Sequence, residues 1–327
     1  MTWRELPCYG RIPDPEFEIE IEDFVLPVIR LPETLLPRRL RGQSIRIHAL
    51  LGFIAPPGNI KRIPAGYMVR KAIETGLVRR GGTLVEPTSG NMGVSLAFCA
   101  RPHGIKVAAI VSDTLPRGKV LPLQRMGAQV VKESEALAVL GLEQSPGSIE
   151  LARRYAEKIG GVLLNQYGND WNPGSWEHLV APELWRGVGG EVALFASAVG
   201  STGTLLGLGR YFRARDPTLA IMATIPYLGQ EIDGTRDRER LGAITHDWMS
   251  LHPIVEPIDE ITARALSAML NEHGIPAGPS SGAVFGSTYH WLLNKLAAGQ
   301  LDKIRDGEGR IKAIVPFADT SYPYERA

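Results

Sequence analysis

From about residue 60 to the C-terminus, short apolar runs alternate with helix-patterned segments, and this alternation restricts the available folds more than any other feature. The runs Lys106–Ser112, Ala128–Lys132, Val162–Asn165, Val192–Ala198, Ala220–Ile225 and Ile311–Phe317 are too short for helices and read as strands. Between and after them, Ile63–Thr75 (closed by Gly76), Gly118–Met126, Ser148–Ile159 (capped by Ser148), Ser175–Arg186, Thr204–Ala214, Glu260–His273 and Gly282–Ala298 read as helices. A strand–helix alternation of this kind predicts parallel sheets covered by helices on both faces. Residues 1–50, rich in Pro and Arg, show weak periodicity and receive no element assignment.

Bulk properties remove several classes of function. The 327 residues suffice for two ordinary domains, and 44% apolar with 22% charged residues is a globular composition. A formal net charge of +1 provides no field to attract nucleic acid or a membrane surface. No apolar run is long enough to span a bilayer, and Arg4, Glu5 and Pro7 lack the order of a signal peptide. A cytoplasmic enzyme or binding protein is expected. The two cysteines, Cys8 and Cys99, make neither a disulfide framework nor a metal quartet, and Cys99 reads as a packed residue. The seven histidines show no close ligand set, so no metal is expected, and His246 and His252 read as loop residues.

Two loops carry anion-binding chemistry. Pro87-Thr88-Ser89-Gly90-Asn91-Met92-Gly93 joins a strand pattern (Thr83, Leu84, Val85) to a helix pattern. The amides of a helix's first turn lack intrahelical partners, and the helix dipole favours negative charge there. Gly200-Ser201-Thr202-Gly203-Thr204-Leu205-Leu206-Gly207 repeats the arrangement after Val192–Ala198, with hydroxyls suited to a phosphate dianion. A dinucleotide site would need an acidic residue at the end of the next strand, yet Pro226-Tyr227-Leu228-Gly229 follows Ala220–Ile225. Gly278-Pro279-Ser280-Ser281-Gly282 matches a hydrolase nucleophile elbow, but no Asp or Glu separates Ser280 from His290, the last histidine. Lys61 follows a Pro-Gly turn and stands between Ile60 and Ile63. A lysine partly desolvated beside a cation has a depressed pKa and becomes a nucleophilic amine. Arg62 either supplies that cation or points away.

Taken together, these motifs resemble the fold-type II pyridoxal-phosphate enzymes of the cysteine synthase and cystathionine β-synthase family. The family's P-x-G-S-x-K-D-R is matched by Pro56 to Ile63, its P-T-S-G-N-T-G by Pro87 to Gly93, its G-T-G-G-T by Gly200 to Thr204, and its G-x-S-S-G by Gly278 to Gly282. Asn165-Gln166-Tyr167, Asn172-Pro173, Pro182-Glu183-Leu184-Trp185 and Asp319-Thr320 are weaker echoes. The resemblance implies an α/β, tryptophan synthase β-like fold of two three-layer domains with mainly parallel sheets and the cofactor in the cleft between them. Residues 1–55 and 168–327 would form the larger, phosphate-holding domain, and residues 56–167 the smaller, mobile one. Pyridoxal 5′-phosphate would be the cofactor and Lys61 its Schiff-base residue and the base at Cα. Asn91 would bond the 3′ oxygen, Gly200, Ser201, Thr202, Gly203 and Thr204 the phosphate, and Ser280 the pyridine nitrogen. Thr88, Ser89, Gly90, Met92 and Gln166 would surround the substrate carboxylate. The implied reaction is β-replacement on an O-activated L-serine by sulfide or a thiol, in a homodimer.

Departures keep the substrate open. Asn59 stands for Ser or Thr, Arg62-Ile63 for Asp-Arg, and Met92 for the second Thr of the carboxylate loop. Met cannot donate a comparable hydrogen bond, so either the homologue has drifted with its activity kept or its substrate has changed. Asp233-Gly234-Thr235-Arg236 resembles the Gly-x-Arg of a second cysteine synthase type, some members of which take O-phosphoserine. Arg236 either reads a phosphate or belongs to the solvated run Arg236-Asp237-Arg238-Glu239-Arg240. A β-eliminating lyase or deaminase, and a cofactor-binding homologue without turnover, remain the alternatives.

Overall fold

A computed structural model describes residues 26–322. Arg4, Glu5, Pro7 and Cys8, and the first part of the expected 1–55 segment, lie outside the described residues. Ten strands occur within them: β1 (Val28–Arg30), β2 (Ile45–Leu51), β3 (Thr83–Pro87), β4 (Lys106–Val111), β5 (Gln129–Lys132), β6 (Val162–Leu163), β7 (Leu194–Ala198), β8 (Ala220–Pro226), β9 (Ile254–Ile258) and β10 (Ile311–Phe317). They form two sheets, a six-stranded one ordered β1-β2-β10-β7-β8-β9 and a four-stranded one ordered β5-β4-β3-β6. Only β1 pairs antiparallel, against β2.

The apolar runs have their physical cause in burial on both faces. Along β4, Val107, Ala109 and Val111 enter one core while Ala108 and Ile110 enter the core on the opposite side. Along β7, Phe195 packs on one side, and Leu194 and Ala196 pack on the other. Strands alternate their side chains across a sheet, so two buried faces leave no position for a polar alternation. Each sheet is accordingly the middle of three layers, and the fold is the α/β arrangement expected. Among the described residues, no helix is long and apolar enough to cross a membrane.

Several local expectations are corrected. Ser148 does not cap its helix: Gly147 occupies the N-cap position, and no side-chain cap bond forms. The helix expected over Ser175–Arg186 runs from Trp171 to Val188 and passes through a wider π turn at Trp176–Val180. The strand expected to reach Asn165 stops at Leu163, and Asn165 turns into the left-handed region with φ 55°. All of β2 but its last residue lies in the segment left unassigned; Arg46 and His48 break its apolar run, and its partner β10 lies more than 250 residues away, beyond the reach of local pattern.

Candidate active site

The carboxyl ends of parallel strands are where loops and helix N-termini converge on ligands. Here the residues following β7 and β10 and the starts of four helices surround one cavity. Its lining includes Lys61 ahead of the helix Arg62–Glu74, Asn91 opening Asn91–Ala100, Gly200–Thr204 opening Gly203–Arg215, Ser280 in the first turn of Pro279–Ala297, and Asp319 after β10.

Lys61 is seated by its neighbours. Asn59, buried at 3% exposure, accepts the Lys61 amide on Oδ1 at 3.0 Å and the Ser95 hydroxyl on the same atom at 2.9 Å. The departure at Asn59 is thus structurally employed, holding the main chain at the lysine. Lys61 Nζ donates to Ser201 Oγ at 3.1 Å. Burial first, then the charge of Arg236, lowers its pKa to about 8, while Asp319 and Glu86 pull it back up. The depressed lysine of the sequence reading is present, but its cation is not Arg62. Arg62 is buried, directs Nη1 to Cys99 Sγ at 3.3 Å and lies 5.5 Å from the centre of the Phe98 ring.

The Gly200–Thr204 turn is built so that no side chain fits inside it. A Cβ on Gly200 would sit 2.3 Å from the Gly234 carbonyl oxygen, and one on Gly203 would sit 2.0 Å from Asn172 Oδ1. Thr202 holds φ 66°, a conformation non-glycine residues seldom adopt and one that recurs at functional turns. Its hydroxyl donates to the Ser201 carbonyl at 2.6 Å and lies 3.1 Å from His246 Nδ1, so the Thr202 side chain is engaged behind the turn. His246, read as a loop residue, is a buried support there, its Nε2 lying 3.2 Å from the Asn169 carbonyl. Asn172 Nδ2 donates to Ser201 Oγ at 3.1 Å.

The Thr88–Met92 loop divides its expected residues. Thr88 Oγ1 accepts the amides of Gly90 at 3.0 Å and Gly93 at 3.3 Å, bracing its own loop. Ser89 is exposed, and Gly90 takes φ 140°, which a side chain would rarely permit. Asn91 lines the cavity and donates Nδ2 to Asp319 Oδ2 at 2.7 Å. Met92 requires correction as a substrate-contacting residue. Its side chain is 2% exposed and belongs to the core between the four-stranded sheet and its helices, where an apolar thioether is favoured over a hydroxyl. Gln166 is also buried, its amide bonded to Glu86 Oε1 at 3.0 Å and its carbonyl accepting Asn172 Nδ2 at 2.7 Å.

Arg236 likewise departs from the solvated-run alternative. Its guanidinium stands 4.2 Å over the Tyr167 ring, its amide donates to the Val199 carbonyl at 2.9 Å, and its charge is felt at Lys61. Sequence reasoning missed Glu86, and it named Tyr167 and Asn172 only as weaker echoes of the family, without a role. Glu86 had one available signal: an acidic residue inside a strand expected to be buried on both faces. It is fully buried, and that burial raises its pKa to about 7.

The donor set suits a phosphorylated aldehyde with a ring nitrogen. The amine of Lys61 meets the Ser201 hydroxyl of the glycine-bearing turn at a helix start, and Ser280 Oγ is buried with no hydrogen-bond partner in the wall of the same cavity.

Comparison with known proteins agrees with that chemistry. The family described as "Pyridoxal-phosphate dependent enzyme" matches residues 27–300. The chain is 31% identical over 229 residues to cysteine synthase B of Pseudomonas aeruginosa, covering 69% of this chain and 74% of the relative. It is 30% identical over 273 residues to a probable cysteine synthase of Bacillus subtilis, covering 77% and 83%. Among solved structures, O-ureido-L-serine synthase superposes with a TM-score of 0.74 at 26% identity, covering 93% of this chain and 92% of that one.

Proposed function

The chain belongs to the pyridoxal-phosphate dependent enzymes, and from that premise we propose that it catalyses β-replacement on an O-activated L-serine, with sulfide or a thiol as the incoming nucleophile. One observation carries this reading: the Lys61 amine and the neutral Ser280 hydroxyl face one cavity beside the Gly200–Thr204 turn. When bound, pyridoxal phosphate withdraws electrons from Cα of an attached amino acid and so acidifies its proton.

Each residue then has a definable part. The amides of Gly200 to Thr204 and the helix start behind them hold the phosphate dianion, with Ser201 presenting its hydroxyl. Ser280 would meet the ring nitrogen with a neutral hydroxyl in place of a carboxylate, so it would not stabilise a protonated ring nitrogen and the electron withdrawal would be modest. This suits expulsion of a good β-leaving group more than chemistry needing a long-lived carbanion. Asn91, held by Asp319, orients the ring oxygen. Thr88, Ser89 and Gly90 offer the substrate carboxylate a loop whose shape Thr88 maintains. Lys61 takes the Cα proton as the bond from Cβ to the leaving oxygen breaks; the nucleophile's sulfur bonds Cβ, and Lys61 returns a proton to Cα.

Arg236 narrows the donor. A guanidinium stacked on Tyr167 and projecting its charge towards Lys61 favours an anionic leaving group, so O-phosphoserine is proposed alongside O-acetylserine. The relatives' names, cysteine synthase and O-ureido-L-serine synthase, support a β-substituted alanine as product. The test is a product assay with each donor, with and without sulfide. Cysteine formed only when both are present is expected. Pyruvate and ammonia released at the same rate without sulfide would make the protein a β-eliminating lyase instead.

A further inference from the structure

Glu86 is a buried carboxylate whose charge acts on Lys61 and for which the reaction above has no use. It sits near the end of β3 on the same face as Leu84, with no exposed surface. A charge is seldom buried without a task, because removing a carboxylate from water is costly. Its Oε1 accepts the Gln166 amide at 3.0 Å. The Gln166 carbonyl accepts Asn172 Nδ2 at 2.7 Å, and the same nitrogen donates to Ser201 Oγ at 3.1 Å. Ser201 Oγ in turn accepts Lys61 Nζ at 3.1 Å. This continuous chain of hydrogen bonds runs from a strand of the four-stranded sheet to the turn after β7 of the six-stranded sheet, and it ends on the amine.

We propose that Glu86 is a positioning residue for Lys61: it holds the Gln166 main chain from which Asn172 and Ser201 take their places, and its negative charge balances the proton carried at the lysine nitrogen. The inference rests on the reading that Lys61 holds the cofactor, but not on the identity of the substrate. The charged and titratable groups facing this region are Lys61, from the segment before the helix Arg62–Glu74, the Tyr167 phenol, Arg236 from the loop after β8, and Asp319 after β10. Arg236 opposes the lysine's proton, and Asp319 acts in the same sense as Glu86.

The test uses the full chain loaded with pyridoxal phosphate and no substrate, so a wrong substrate assignment does not affect it. The visible absorption of the lysine-linked cofactor is followed against pH in wild type and in Glu86→Gln, which keeps an oxygen acceptor for Gln166 and removes the charge. The midpoint at which the linkage nitrogen loses its proton is expected to fall by about one pH unit or more. In Arg236→Met it is expected to rise. A Glu86→Gln protein that keeps its colour and its wild-type midpoint overturns the proposal. If Glu86→Gln does not fold, infrared difference spectra of wild type across the colour transition decide the matter. A carboxylic-acid C=O stretch that changes with the linkage supports the proposal, and its absence overturns it. A protein without visible absorption from a lysine-linked cofactor would overturn the reading of Lys61 itself.

Discussion

The Arg236 guanidinium lies 4.2 Å over the ring of Tyr167, joining a loop that follows β8 to the segment that follows β6. The stacked guanidinium donates Nη1 to the Arg240 carbonyl at 3.4 Å, leaves further N–H donors that an anion could recruit, and acts electrostatically on Lys61. Replacing it with methionine is expected to lower kcat/KM for O-phosphoserine by about 10–100-fold more than for O-acetylserine, the cost of one or two charge-assisted hydrogen bonds. Steady-state kinetics with both donors checks this, and equal losses would remove the phosphate-reading role.

On the proposed mechanism, Lys61→Ala would remove both the covalent partner of the cofactor and the base at Cα. Loss of the visible colour of the linkage and a fall in turnover of about 10³-fold or more are expected, with far-UV circular dichroism unchanged. Absorption spectra and a sensitive product assay measure the two effects separately.

At Gly203 even one methyl group is too much, because it would stand 2.0 Å from Asn172 Oδ1. Gly203→Ala forces the turn or Asn172 to move, and Asn172 holds Ser201. A weakening of cofactor binding by about tenfold or more is expected, equivalent to about 1.4 kcal/mol. Fluorescence titration of the cofactor-free protein with pyridoxal phosphate provides the number, and unchanged affinity would show that the turn does not hold the phosphate.

Met92→Thr restores the residue the related loops carry, yet it is expected to harm stability and leave substrate choice alone. The side chain is core, so the change removes buried apolar volume and introduces a hydroxyl there. A loss of about 2–4 kcal/mol in urea unfolding is expected, with the ratio of kcat/KM between donors unaltered.

Glu86 makes stability depend on pH in a definite sense. Its folded pKa of about 7 exceeds the ordinary 4.5, so the folded protein keeps a proton that the unfolded chain has released. Its contribution is fully present below about 4.5 and is lost as pH rises through about 7. Lys61, depressed from 10.5 to about 8, contributes a loss that grows as pH falls from 10.5 towards 8. Glu86→Gln is therefore expected to unfold at higher urea than wild type at pH 8, by about 1–3 kcal/mol, and to show little advantage at pH 5. Urea curves at the two pH values check it; an equal shift at both would assign the effect to packing.

What was legible in the sequence was what local chemistry specifies. Apolar runs alternating with helical patterns encode sheets buried on both faces, because a strand covered on both sides has no polar alternation to show. Turns such as Gly200–Thr204 are defined by backbone shape, so their glycines and hydroxyls announce them, and Lys61, Asn91 and Ser280 come to one cavity. Spacing alone could not say which way a side chain turns. Met92 faces the core although it belongs to the loop motif, and Thr88 braces that loop with its hydroxyl. The lysine's cation comes from Arg236, not from the adjacent Arg62, which is engaged with Cys99 and Phe98. Glu86 appeared as one acid in a short strand and proved to be a buried charge linked to Lys61 through three intermediate residues. The sequence by itself determined the layered architecture and the glycine- and hydroxyl-rich turns at the helix starts, since both rest on residues close together in the chain. Only the tertiary structure decided the electrostatics at the lysine, because those charges arrive from strand ends and loops far apart in sequence and act through distances and burial that no local pattern encodes.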